Sequence, residues 1–125
     1  MDLIYVATGG FIGAILRYSI NIFFADWKFP IATFIINLSG SFLIGFIITI
    51  SLERLTESHE VRLFLVVGML GAFTTFSTYC FETFQLFGKS FYITGFIYLF
   101  ASAFLGILMC ILGVALALKL MEVKT

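Results

Sequence analysis

Hydrophobic residues fall into four long runs separated by short polar links, and this pattern predicts four membrane-spanning helices. The runs cover residues 3–24, 31–52, 63–87 and 91–118. Each has at least the ~20 residues that an α-helix needs to cross the hydrocarbon core. The links DWKF, ERLTESHEVR and GKS are too short for a soluble domain. We therefore predict an all-α membrane protein, with residues 1–125 forming one four-span domain.

Polar residues interrupt the second run at a regular helical spacing. Thr33, Asn37 and Ser41 recur four residues apart, which places them on one face of the helix. The amide of Asn37 brings two donor hydrogens that must find acceptors in hydrocarbon. This stripe fits two interpretations, hydrogen bonding between helices and the lining of a polar path.

The third run contains GAFTTFSTY at 71–79, in which five of nine residues carry hydroxyls. Hydroxyls in a membrane helix can bond back to their own backbone. However, this stretch falls near the bilayer centre, where an interrupted helix is tolerated only if it is buried in protein or lines a cavity. We predict that the third helix is interrupted here. The freed backbone carbonyls would suit a desolvated alkali cation.

The fourth run repeats the polar spacing of the second. Thr94, Tyr98 and Ser102 lie four residues apart. In the third run, Phe76, Tyr79 and Thr83 also fall on one helical face. One such stripe is explained by helix packing, whereas stripes on three short spans indicate a route for something small and polar.

Gly9 and Gly13 of the first run lie four residues apart and fit a close helix-packing motif.

Two charged residues lie within the spans. Arg17 and Glu82 are each costly in hydrocarbon, which makes both functional candidates. We expect Arg17 to be the counter-charge of Glu82.

Composition supports membrane insertion and excludes a soluble domain. The chain is 62% hydrophobic and 11% charged, with a mean hydropathy of +1.15. The start, MDLIYVATGG, lacks the basic region of a cleaved signal peptide. Cys80 and Cys110 lie within runs, as buried apolar residues do. The sequence has no metal-ligand spacing, nucleophile triad or nucleotide-binding motif, so we predict that the protein is not an enzyme.

The positive charges divide almost evenly between the two sides of a four-span topology. The side of the 52–62 loop and the C-terminus holds four, and the other side holds three if Arg17 extends towards it. The first group is Arg54, Arg62, Lys119 and Lys124, and the second is Arg17, Lys28 and Lys89. Because orientation follows this bias, the chain could insert both ways and form an antiparallel dimer. A single fixed topology remains open.

Three motifs resemble the Fluc/CrcB family of fluoride channels, which are small four-span proteins that assemble as antiparallel dimers. They are GGFIGAILRY at 9–18, TFIINLSGSFLIG at 33–45 and GMLGAFTTFSTYCFET at 68–83. The resemblance covers nearly the whole chain. It implies passive fluoride export across the plasma membrane through two pores per dimer, with a structural sodium ion on the two-fold axis.

The resemblance also implies roles for individual residues. Asn37 would donate to fluoride, and the ring edge of Phe76 would face it. The backbone carbonyls of Gly71 and Thr74, repeated in the partner, would hold the sodium. The remaining pore-lining residues would be Thr33, Ser77, Tyr79, Tyr98 and Ser102, with Arg17 and Glu82 at the vestibules.

This sequence departs from the family pattern at three positions. Tyr79 replaces a phenylalanine, and the hydroxyl track of the fourth span ends at Gly106 and Cys110. These departures would also fit one subunit of a heterodimeric channel, whose partner is a homologous subunit.

Two other classes of protein remain as alternatives. A small multidrug exporter coupled to protons would need a carboxylate within the first span, which has only Asp2 at its edge. A tetraspan scaffold that transports nothing would use its polar stripes to hold helices together.

Overall fold

The computed structural model describes residues 1–54 and 58–122, and every regular element in this part of the chain is helical. Four helices are long and apolar enough to cross a membrane, as predicted. The first two are α1 (Asp2–Phe23) and α2 (Ile31–Arg54). The third span consists of α3 (His59–Arg62), a π-helical segment (Leu63–Leu70), α4 (Gly71–Phe73) and α5 (Phe76–Gly88), and the fourth is α6 (Tyr92–Glu122).

The predicted interruption of the third span is confirmed. Thr74 ends α4 with φ −79° and ψ 156°. Thr75, which precedes α5, is also extended, with φ −151° and ψ 117°. These two extended residues shift the direction of the backbone between α4 and α5, and we call them the helix break.

The π-helical segment before the break was not predicted. Its sequence, LFLVVGML, is apolar on every face, so its hydrophobic pattern cannot separate a π-helix from an α-helix. The backbone of this segment packs closely on α1. A Cβ atom on Gly13 of α1 would overlap the carbonyl of Met69, and one on Gly68 would lie 2.6 Å from the carbonyl of Val6. The predicted close packing at Gly9 and Gly13 therefore occurs against this segment.

The other spans also pack through glycines. α2 lies against α6, where a Cβ atom on Gly45 or Gly113 would overlap a backbone carbonyl of the opposite helix. α5 packs on α6 as well. At one end of the bundle, His59 Nε2 lies 3.2 Å from Asp2 Oδ2, so the first and third spans begin on the same side. Residues 55–57 of the charged loop and Lys124 lie outside the described residues.

Two buried clusters flank the helix break. One consists of Ile36, Leu70 and Phe73, and the other of Tyr79, Leu86 and Tyr98. Elsewhere, large apolar side chains face outward, including Phe96, Phe100 and Phe104. A membrane protein can expose such residues because lipid is as apolar as they are.

Candidate functional site: the helix break and two cavities

Asn37 of α2 binds the helix break through both ends of its amide. Its Oδ1 accepts the backbone N–H of Thr75 at 2.9 Å, and its Nδ2 donates to the Thr75 carbonyl at 3.0 Å. This pairing fixes the orientation of the amide, because only the oxygen can accept the Thr75 N–H. The second hydrogen of Nδ2 has no acceptor within the described chain. Asn37 therefore retains one free donor.

Gly71 and Thr74 are among the residues whose carbonyls lose their usual helical donors at the break. In a continuous α-helix, Gly71 would accept from the N–H of Thr75, and Thr74 from that of Thr78. Here Thr75 donates to Asn37 instead. The Thr78 N–H is donated to Oγ1 of Thr75, at 3.3 Å. The carbonyls of Gly71 and Thr74, which the family resemblance singles out, are thus released from the backbone ladder.

A central cavity of about 480 Å³ opens beside the break. Six of the predicted site residues line this cavity, namely Asn37, Gly71, Thr74, Phe76, Tyr79 and Ser102. Ser102 Oγ is buried and has no hydrogen-bond partner in the described chain. Phe76 is 76% exposed. The cavity wall therefore combines free donors, free backbone carbonyls and an exposed aromatic ring.

A second cavity, of about 620 Å³, lies at the end of the bundle formed by the DWKF and GKS links. Two cations and one carboxylate are among its lining residues, namely Lys28, Lys89 and Glu82. The two lysines give this opening an excess of positive charge. We call it the lysine cavity.

Three hydrogen-bonded residues connect the two cavities. Glu82 accepts from the hydroxyl of Thr33 at 2.9 Å and from that of Tyr98 at 2.7 Å. Thr33 and Tyr98 are fully buried. The Tyr98 ring contacts Phe29 of the lysine cavity and Tyr79 of the central cavity, with centroids 5.4 and 5.3 Å apart. The two hydroxyls thus lie between the cavities, not on the central cavity wall.

The expected pairing of Glu82 with Arg17 does not form within the chain. Arg17 lies on α1, which packs on the π-helical segment and α4, before the break, whereas Glu82 follows the break and faces α6. Hydroxyl donors take the place of the counter-charge. Arg17 is partly exposed and lines neither cavity. Ser77 is exposed, with its Oγ 3.5 Å from Oγ1 of Thr75, and it also lines neither.

Tyr79 directs its hydroxyl away from the central cavity. The hydroxyl donates to the Leu99 carbonyl at 2.6 Å, and the residue is only 8% exposed. Its ring lies 5.7 Å from that of Phe76, centroid to centroid. The ring therefore lines the cavity as a phenylalanine would, while the oxygen joins α5 to α6.

Tyr79→Phe is expected to change stability more than transport. The substitution removes the bond to Leu99 but keeps the ring, so the unfolding free energy should fall by about 1 kcal/mol. Thermal unfolding in detergent and anion flux in liposomes measure the two effects. A large loss of flux at unchanged stability would show that the hydroxyl serves the transported ion.

Some site residues were missed by sequence analysis. Thr75 was seen only as one member of a hydroxyl cluster, yet its backbone and side chain organise the break. Lys28 and Lys89 were considered only for the distribution of positive charge between the two membrane sides, although both line the lysine cavity. Lys28 and Lys89 lie on the two links at the same side of the membrane, close to the end of the span that carries Glu82. This shared side was the signal that could have predicted a common cavity for the three residues.

The four apolar helices, with a cavity among them that several polar residues line, define a multi-pass membrane protein. Residues 4–114 match the family model described as CrcB-like protein, Camphor Resistance (CrcB). The chain belongs to this family. Family membership and the four helices together indicate a multi-pass protein of the plasma membrane.

Curated relatives match over almost their whole length. Fluoride-specific ion channel FluC 2 of Carboxydothermus hydrogenoformans is 48% identical over 124 residues, covering 99% of this chain and 92% of the relative. Fluoride-specific ion channel FluC 1 of Moorella thermoacetica is 47% identical over 120 residues, which cover 94% of this chain and 86% of the relative. Fluoride-specific ion channel FluC 2 of Staphylococcus saprophyticus is 38% identical over 120 residues, which cover 96% of this chain and 99% of the relative.

Proposed function

We propose that this chain forms a fluoride-selective channel that lets fluoride leave the cell passively. The observation that carries the proposal is the central cavity at the helix break, with its unpartnered donors, in a chain whose relatives are named as fluoride-specific channels. An inside-negative potential would drive the anion outward without any coupled energy source.

The donors suit a small, strongly hydrated anion. A pore for fluoride must replace water with hydrogen-bond donors, and the free Asn37 hydrogen and the Ser102 hydroxyl provide two. The ring edge of Phe76 provides the positive rim of an aromatic quadrupole. Thr33 and Tyr98 would extend the path towards the lysine cavity. Their hydroxyls, which donate to Glu82, would turn from the carboxylate to the passing ion.

A structural sodium ion would fit the released carbonyls of Gly71 and Thr74. Backbone carbonyl oxygens are suitable ligands for a desolvated alkali cation. Gly71 is exposed and has no side chain to cover its carbonyl. The described residues include no cluster of acidic, cysteine or histidine side chains that could hold a metal instead. The cation would offset the repulsion that these carbonyls exert on an anion.

An antiparallel dimer would complete the site. Phe76 and Ser77 are exposed at the break, and the central cavity is open on that side. Free carbonyls and hydroxyls facing lipid would be costly, and a second subunit would cover them. That subunit is a second copy or, as Gly106 and Cys110 allow, a homologous chain that contributes the missing hydroxyls.

The lysine cavity would act as the entrance for the anion on its side of the membrane. Replacing Lys28 and Lys89 by glutamine should slow fluoride entry at low salt by up to about tenfold, because the cavity would lose its attraction for anions. The effect should shrink at high salt. Lys119→Gln, which removes a cation that lines neither cavity, is the matched control. Equal rates in all three proteins would remove this role.

Efflux from liposomes loaded with potassium fluoride, followed with a fluoride electrode and valinomycin, tests the function. We expect fluoride release without a proton gradient and no release of chloride. Transport that requires a proton gradient would favour an exporter. No fluoride release, either from the chain alone or with a homologous subunit, would favour a scaffold. Activity only with the homologous subunit would identify a heterodimer.

A further inference from the structure

We propose that Asn37 is a positioning residue that keeps the helix break open, and that it thereby couples the anion cavity to the cation site. In this role the amide holds the Thr75 N–H away from the Gly71 carbonyl. The inference rests on the proposed sodium site. It adds a dependence of cation binding on a pore-lining side chain.

The hydrogen bonds of Thr75 carry the argument. Both of its backbone groups are paired with one side chain, at 2.9 and 3.0 Å, across a sequence separation of 38 residues. A break in a membrane helix persists only if its freed polar groups find such partners. Without Asn37, the Thr75 N–H would regain a partner most simply by returning to the Gly71 carbonyl, as in a continuous helix. That return would occupy a carbonyl the cation needs.

Packing keeps α2 close enough for this contact. Gly40 lies almost one turn after Asn37, and a Cβ atom there would overlap the methyl group of Thr74. α2 can therefore approach the break at Gly40 while the Asn37 amide reaches Thr75. The two residues together hold the break against α2.

The two ends of the amide would have different tasks. The oxygen holds the break through the Thr75 N–H, whereas the free Nδ2 hydrogen remains for the anion. Substitutions can separate these tasks. Asn37→Asp keeps an oxygen that accepts the Thr75 N–H but loses both amide hydrogens, the free one and the one that donates to the Thr75 carbonyl. Asn37→Leu loses the acceptor as well.

Sodium-dependent thermal unfolding of the full chain tests the proposal. The purified protein is titrated with sodium chloride against N-methylglucamine chloride, whose cation is too large for a carbonyl cage. Asn37→Leu should need at least about tenfold more sodium for half-maximal stabilisation, as for other residues that support a metal ligand. Asn37→Asp should still be stabilised by sodium, because its carboxylate oxygen still accepts the Thr75 N–H. Ser39→Ala is the control, because the Ser39 hydroxyl bonds only within α2.

An unchanged sodium midpoint in Asn37→Leu would overturn the coupling, and so would a lost response in Asn37→Asp. If Asn37→Leu does not fold, hydrogen exchange at the Thr75 amide of the unmodified protein decides. We expect strong protection, and exchange as fast as that of an open amide would contradict the proposal. Fluoride flux is measured separately. A protein that shows these sodium responses but passes no fluoride would contradict the proposed channel function and leave the coupling intact.

Discussion

Asn37→Asp is expected to abolish fluoride flux. The substitution replaces the free Nδ2 donor with an anionic oxygen in the central cavity. Two like charges 4 Å apart repel by roughly 4 kcal/mol at an effective dielectric constant of 20, which corresponds to a rate loss of about a thousandfold. Efflux from liposomes measures this loss directly.

The same change at Asn21 provides a matched control. Asn21 is also partly buried in a span, but its amide donates to the Arg17 carbonyl within α1, and it lines neither cavity. Asn21→Asp should therefore leave flux nearly unchanged. Normal flux in Asn37→Asp would exclude Asn37 from the ion path.

Phe76→Ile is expected to reduce fluoride flux strongly, at normal expression. Phe76 is 76% exposed beside the cavity, so the substitution disturbs little packing within its own subunit. Isoleucine keeps an apolar surface but has no quadrupole, and therefore no positive edge for an anion. The loss of an aromatic contact worth about 1.5 kcal/mol corresponds to a roughly tenfold fall in rate.

Phe84→Ile controls for the loss of an aromatic ring from α5. Phe84 follows Phe76 by eight residues on the same helix, is 70% exposed and lines neither cavity. Its replacement should have little effect on flux. If both variants conduct at the unmodified rate, the aromatic edge has no part in conduction.

The spans and the break were predictable because each depends on local chemistry. Apolar runs of about 20 residues bounded by charges have few alternatives to a membrane helix. The break follows from Gly71 and a dense set of hydroxyls at the centre of a span. The π-helical segment at Leu63–Leu70 could not be predicted, since its uniformly apolar sequence carries no period.

The site was predictable in its members but not in its contacts. The polar spacing identified Asn37, Tyr98 and Ser102, yet Asn37 reaches Thr75 across 38 residues, and a single sequence contains no signal for that pairing. The partner of Glu82 was predicted wrongly for a related reason. Opposite charge suggested Arg17, whereas packing of α5 on α6 and on α2 brought the hydroxyls of Tyr98 and Thr33 to the carboxylate.

The central claim is that donors at the helix break replace the water of a bare fluoride ion and do not do so for a larger halide. The reversal potential of the reconstituted protein in a planar bilayer, with opposite concentration gradients of fluoride and chloride across the membrane, tests it most directly. We predict a reversal potential close to the equilibrium potential of fluoride, in sodium-containing solutions. A potential set by chloride, or no current either alone or with a homologous subunit, would contradict the account.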